Sequence, residues 1–431
     1  MKIILAHYKY FVQGGPERYM FKFTKLLQKM GHTVIPFSVN YEKNEETPYA
    51  KYFVSPNIDG DGNFAKAGLT PAVALRFART QFHNKEAYRK LKLLIRDERP
   101  DLLYVLIPGM LTADIFKAAE EENVPIILRL SDFRLICGNN ILMRDGEICE
   151  DCIHGDYRCM VQHRCVKGSR LFSALRAAAL SSARRHGAYD AVDAVITPPA
   201  NTRNKLIEAG YFPAEKVFVN PTFLDCSRIK PAAEHENYVL CLGRFSEEKG
   251  FIYAVEAMRY LRDLPVQIAI TGDRDGCAPA LRELIAREGL EDKVRFAGFL
   301  HGEALADITR RALCVACPAI WYENQPNVVI EAFAYGKPVV ASDLGSLREM
   351  VEDGKTGLLF TPKDAKGLAD CVRRLYEDPA LYAAVSANAR KQCEAVYSPE
   401  RHYETFMQVY ETVCARRQGA ARLSEKGEER I

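Results

Sequence analysis

The chain has 431 residues, 48% hydrophobic and 27% charged, which suits a globular protein of two or three domains. Its 59 Lys and Arg against 56 Asp and Glu leave a net charge of +3, too small to mark a nucleic-acid partner. No apolar run reaches the roughly 18 residues of a membrane span, and the apolar stretch in Met1–Tyr10 is too short for a signal peptide. A cytoplasmic protein is expected.

The first half alternates strand and helix. Lys2–Ala6 predicts a strand, Glu17–Met30 a helix ended by Gly31, and Thr33–Phe37 a second strand. Ala87–Arg96 and Ala113–Glu122 predict helices, with strands at Leu102–Leu106, Pro125–Leu130 and Asp193–Thr197, and a helix at Thr202–Ala209. Short apolar runs between amphipathic helices indicate a parallel sheet covered on both faces. The stretch 222–237, with Pro231 and little periodicity, reads as a hinge between a domain of residues 1–221 and a second of 238–398. In that second domain strands are predicted at Tyr238–Leu242, Gln267–Thr271, Lys293–Phe296, Leu313–Cys317 and Val339–Ala341. Helices are predicted at Gly250–Arg262, Pro279–Arg287, Ala304–Arg311 and Val328–Tyr335, with Glu349 opening another. Pro399 starts an amphipathic helix of 399–417, and 418–431 is expected to be a disordered tail.

The most informative segment is Trp321–Val351. Glu323 and Glu331 stand eight positions apart, separated by Asn324, Pro326 and Asn327. Glu323 precedes a helix whose first turn carries bare N–H groups and a partial positive charge, while Glu331 lies within that helix. The loop Gly345-Ser346-Leu347 follows the next strand. Amide donors suit phosphate, and carboxylates accept from paired hydroxyls, so the combination suits a sugar nucleotide. Upstream, Gly243-Arg244 and Lys249-Gly250 flank a strand-to-helix turn, with Lys249 74 residues before Glu323. A forked guanidinium and a mobile ammonium make a diphosphate clamp. Charge grows on a diphosphate leaving group during transfer, so cations aimed there would lower the barrier. Gly14-Gly15, after the first strand, would let backbone approach a phosphate, or would simply make a tight turn.

These segments together resemble the retaining glycosyltransferases of family 4, which have the α/β GT-B fold of two Rossmann-like domains facing a cleft. The resemblance is specific over about 239–359 and architectural elsewhere. It implies that Glu323 contacts the transferred sugar and Glu331 the ribose, that Arg244 and Lys249 hold the diphosphate, and that Gly14 and Gly15 lie near the donor phosphate. Gly243, Gly272, Asn324, Pro326, Asn327, Ser346 and Leu347 complete the implied donor site. The chain departs from the family in carrying Asn324-Gln325-Pro326 where Gly-Phe-Gly is common, and Gly345-Ser346 where Gly-Gly is usual. Relatives often have a histidine after the strand Pro125–Leu130; here Ser131-Asp132-Phe133 stands there, and Asp132 either handles the acceptor hydroxyl or caps the following segment. His7 is a second candidate acceptor contact, with a structural role as its alternative. Asp273-Arg274-Asp275 has metal-binding spacing but reads as a turn, so transfer without a catalytic metal is expected.

None of the thirteen cysteines precedes Cys137, and five lie between Cys137 and Cys165, in an insertion of about 137–168. Cys149, Cys152, Cys159 and Cys165 suit a structural zinc site; unligated thiols are the alternative. Downstream, 167–186 is basic and amphipathic, with Arg170, Arg176, Arg184 and Arg185 beside Leu171, Phe172, Leu175 and Leu180. It suits either a peripheral contact with an anionic membrane or a surface helix packed inward, and Arg76–Arg96 is a second basic stretch.

The reading is a hexosyltransferase using a nucleotide diphosphate sugar, acting on a saccharide or lipid-linked saccharide in surface polysaccharide biosynthesis. A sugar-nucleotide epimerase of the same fold and a zinc-stabilised, non-catalytic nucleotide-sugar-binding protein are the alternatives.

Overall fold

The computed structural model describes residues 1–56, 75, 82–232, 234–272 and 278–428. The first half forms a parallel sheet of β1 (Lys2–His7), β2 (Thr33–Phe37), β3 (Leu102–Ile107), β4 (Ile126–Arg129), β7 (Ala194–Thr197) and β8 (Val217–Val219), in the order β2-β1-β3-β4-β7-β8. A small antiparallel hairpin, β5 (Met143–Arg144) and β6 (Glu147–Ile148), interrupts the sequence between β4 and β7. The second half repeats the plan with β9 (Tyr238–Leu242), β10 (Gln267–Thr271), β11 (Val294–Gly298), β12 (Cys314–Cys317), β13 (Val339–Ser342) and β14 (Gly357–Phe360), ordered β11-β10-β9-β12-β13-β14. Both orders reverse beside the first strand of the sheet, and ligands bind at such switch points, outside the carboxyl ends of the strands. The edge strands β8 and β14 escaped the sequence analysis.

The chain crosses between the halves twice. At the hinge, Phe223 packs into the core of the first half and Cys226 into that of the second, with Leu224 N–H bonded to Tyr397 O at 2.9 Å. The helix Pro399–Glu428 then returns to the first half and buries Phe406, Val409 and Val413 against Ile3, Leu5, Phe23 and Tyr104. It continues past residue 417, where the sequence predicted a disordered tail, because 420–423 (Ala-Ala-Arg-Leu) favours helix. Glu349 does not open a helix as predicted; it sits near the end of Gly345–Met350, which starts where Gly345 adopts a left-handed φ of +52°. Asp273-Arg274-Asp275 and Arg76 to Thr80 lie outside the described residues.

Two histidines are buried, His402 at the junction of the halves and His7 at the end of β1. His402 meets Tyr19 Oη at 2.9 Å and Pro221 O at 2.6 Å, and burial pushes its pKa well below the usual value. His7 contacts Lys9 O at 2.8 Å through Nδ1, and burial brings its pKa down to about 3. Both are therefore neutral in the folded protein, whereas the unfolded chain protonates them near pH 6.5. The unfolded state then binds more protons below that pH, so stability falls with acidification, at up to about 1.4 kcal/mol per pH unit for each histidine. Denaturant unfolding at pH 7.5, 6.5 and 5.5 should give this slope, and His402→Gln should remove roughly half of it. A flat profile over that range would refute the burial argument.

Candidate functional site

The loops after β9 and β12 meet because those strands are neighbours in the sheet. Lys249 Nζ forms an ion pair of 2.5 Å with Glu323 Oε1, and also lies 5.6 Å from the Trp321 ring. Glu323 is 7% exposed, so Lys249 supplies the partner that its buried carboxylate needs. Its backbone carbonyl accepts from the buried Ser346 hydroxyl at 2.7 Å, which ties the loop after β13 to the same point. Gly345 is needed there: a Cβ would come within 2.9 Å of Tyr322. Leu347 is fully buried and anchors the short helix in the core.

The glycines after β9 and β10 permit close backbone approach. A Cβ on Gly272 would sit 1.7 Å from Gly243 O, and one on Gly250 would sit 1.9 Å from Pro318 O. Gly14 and Gly15 differ: Gly14 is extended (φ −151°, ψ −160°), and neither would create a severe clash with a Cβ. Gly14 N–H donates to Glu17 Oε2 at 2.8 Å and caps the fifteen-residue helix Gly15–Lys29, whose N-terminus faces the cleft. Arg244 is 65% exposed on its side chain and pairs with Glu248 at 3.1 Å, so it stands at the rim while Lys249 is inside.

Two cavities open between the halves. One, of about 150 Å³, is lined by Gly15, Tyr19, Arg129, Ser131, Asn324 and Asn327, among others. The second, of about 260 Å³, is lined by Asp132, Phe133, Asn140, Trp321, Tyr322 and Asn324, among others. Asn324 borders both, and its Oδ1 and Nδ2 are buried without a hydrogen-bonding partner. Trp321 Nε1 and Asn140 Oδ1 are likewise buried and unpaired. Buried amides are normally satisfied, so such a concentration at one wall marks where a polar ligand would bond. Pro326 caps the helix Asn327–Ala334, and Glu331 within it is half-buried, facing Arg18 and Lys22; burial raises its pKa while those cations oppose the shift.

Asp132 accepts from Arg134 N–H at 3.0 Å and from its Nε at 2.7 Å, so it caps the turn after β4 and holds a cation. His7 is buried behind the site, its Nε2 3.7 Å from Glu17 Oε1. Arg129 was missed. It is buried, lies 4.2 Å from the Tyr19 ring and donates to the neutral oxygens Asn220 O and Thr222 Oγ1. An arginine ending the apolar run Ile126–Leu128 was the available signal, since a charge there is costly without a task. The basic helix is Arg170–Arg185, and two of its arginines turn inward: Arg176 donates to Arg134 O and Arg184 to Ala209 O. Arg170, Arg185 and Leu171 remain exposed. No helix among the described residues is long and apolar enough to cross a membrane.

Removing one side of the Lys249–Glu323 pair leaves a buried charge unsatisfied. Lys249→Met should lower stability by about 1–3 kcal/mol in denaturant unfolding, and Lys249→Met combined with Glu323→Gln should recover most of it. Additive losses in the double variant would show that the two side chains are not coupled.

Residues 225–392 match the family model of glycosyl transferases group 1. Alpha-D-kanosaminyltransferase of Streptomyces kanamyceticus is 32% identical over 231 residues, which cover 50% of this chain and 59% of that protein. The lipopolysaccharide core mannosyltransferase LpsB of Rhizobium meliloti is 30% identical over 41% of this chain and 52% of its own length. The chain thus spans about half the length of the curated relatives it matches. Among solved structures, Anabaena HepE in complex with UDP superposes with a TM-score of 0.63 at 19% identity, covering 96% of this chain and 100% of that one. The architecture is GT-B.

Proposed function

From a chain whose residues 225–392 are a glycosyl transferases group 1 domain, we propose a retaining hexosyltransferase that moves a sugar from a nucleotide diphosphate donor to a hydroxyl of a saccharide or lipid-linked saccharide, in surface polysaccharide biosynthesis at or near the inner membrane face. The observation that carries the reading is Asn324. Its unpaired amide stands between two cavities and beside the Lys249–Glu323 pair, where a sugar joined to a diphosphate would need both hydroxyl partners and cations.

In this reading the incoming diphosphate draws Lys249 from Glu323 and takes Arg244 at the rim. The freed Glu323 carboxylate then accepts from hydroxyls of the transferred hexose, and Asn324 supplies a donor and an acceptor to the same ring. Glu331, on its helix face, accepts from the ribose. The N-terminus of Gly15–Lys29 adds N–H groups and a partial positive charge opposite Asn327. As the glycosidic bond breaks, negative charge on the diphosphate meets fixed cations, which supports transfer without a catalytic metal. The departing phosphate takes the acceptor proton on the same face. Asp132, already bound to Arg134, would orient the acceptor rather than act as a free base. UDP in HepE supports a nucleotide donor, and the transferase relatives favour this reading over the epimerase and the non-catalytic binder.

Saturation-transfer NMR against UDP-, GDP- and ADP-sugars, with magnesium and manganese omitted, tests the donor site directly. One donor should bind and be slowly hydrolysed. Glu323→Gln and Lys249→Ala should each cut turnover by roughly 10²–10³-fold. Asn324→Ala should weaken donor binding about tenfold while leaving stability unchanged or higher, because it deletes a buried unsatisfied amide. A folded protein that binds none of the donors would overturn the proposal.

A further inference from the structure

The insertion following β4 has features that the transfer reaction does not use. Cys137, Cys149, Cys152, Cys159 and Cys165 all line one enclosed space of about 20 Å³, together with Arg144 and Met160. That is the size of a single atom or water molecule. None of the five is in a disulfide. Cys137, Cys149 and Cys165 lie close enough to Cys152 for thiolate charges to repel, and Cys137 and Cys149 stand in the same relation to Cys165. Cys159 is not among the largest charges acting on either, although, like Cys165, it packs against the small apolar cluster of Cys152, Tyr157, Met160, Ala177 and Leu180.

The backbone around these thiols is costly. Asn140, Leu142, Asp145, Arg164 and Lys167 all have positive φ, five of the nine such non-glycine residues in the described chain. Conformations of this kind persist only where the surroundings enforce them. The hairpin β5–β6 has only two residue pairs, too few to hold itself together. A small apolar cluster, richer than the sequence suggested, packs beside the thiols, and its Met160 lines their space.

We propose that Cys137, Cys149, Cys152 and Cys165 bind one zinc ion as a structural tetrathiolate site that staples this insertion. Spacing gave the set Cys149, Cys152, Cys159 and Cys165; Cys137 stands here in place of Cys159 because it lines the same space and lies by both Cys152 and Cys165. Among the described residues no three Cys, His, Asp or Glu side chains already converge as a metal cluster. The thiols surround the space, and closing on an ion requires side-chain rotation. Binding exchanges four S–H protons for four Zn–S bonds, so four protons are released per ion and the site gains a net charge of −2. Arg144, beside Cys149 and Cys165, offsets part of that charge. The staple matters because the hairpin reaches across the cleft: Glu147 pairs with Lys363, and Gly146 abuts Glu247 in the clamp loop. Behind it, Glu150 pairs with Lys205 at 2.9 Å, next to Tyr322.

The test is elemental analysis of protein purified without chelator, followed by cobalt(II) replacement. We expect one zinc per chain and, with cobalt, the thiolate charge-transfer and d–d absorption of a tetrahedral site. Cys149→Ser and Cys137→Ser should lose at least nine-tenths of the metal, whereas Cys159→Ser should keep it. The wild-type result stands even if a serine variant misfolds, and it does not depend on which reaction the cleft performs. Wild-type protein with neither zinc nor a cobalt thiolate band would overturn the site. Retention in Cys137→Ser with loss in Cys159→Ser would overturn the assignment, as would disulfides among the four in non-reducing mass spectrometry of freshly prepared protein.

Discussion

Lys249 and Glu323 come from loops 74 residues apart, yet their contact follows directly from sheet order. Because β9 and β12 are hydrogen-bonded neighbours running in the same direction, their carboxyl ends deliver both loops to one place. A carboxylate as buried as Glu323 needs a cation or hydroxyl partner, so the pair fixes the loop in the absence of ligand. It also stores the two groups that a phosphorylated sugar would separate. Ser346 and Gly345 extend this restraint to the loop after β13, and Gly243 and Gly272 let the strand ends close up behind it.

The same economy governs the junction of the two halves. A cleft needs walls that hold their spacing, and the chain supplies two crossings rather than one. Phe223 from the hinge and Phe406 from the last helix insert into the first half, and His402 lies between them, bonded to Tyr19 and to Pro221. Asn220 joins this junction to the cleft, since its carbonyl accepts from Arg129 and its side chain donates to His402 O at 3.1 Å. Arg129 thus couples the packing of the last helix to the floor of the smaller cavity.

The cysteine-rich insertion lies between β4 and β7 of the first half. It brings Asn140 to the larger cavity and a hairpin to the clamp loop, and the helix that follows it, Arg170–Arg185, directs two arginines to backbone carbonyls. Those inward arginines reduce the basic surface that the composition of 167–186 suggests, so charge counted along a helix overstates charge presented to a partner.

By itself, the sequence determined the two parallel α/β halves, because apolar runs alternating with amphipathic helices admit few other folds. It also marked Glu323 with Glu331 and Arg244 with Lys249, because spacing within a strand–loop–helix unit is local, and the family resemblance implied that the two pairs share one site. What needed the tertiary structure was anything set by contact between distant segments. The Lys249–Glu323 pair, the unpaired amide of Asn324 between two cavities and the buried Arg129 are of this kind. So is the inclusion of Cys137 among the gathered thiols. Periodicity records which face of an element is buried, but not which element covers it. Partners and cavities arise only when distant segments fold against each other, within a half or across the two.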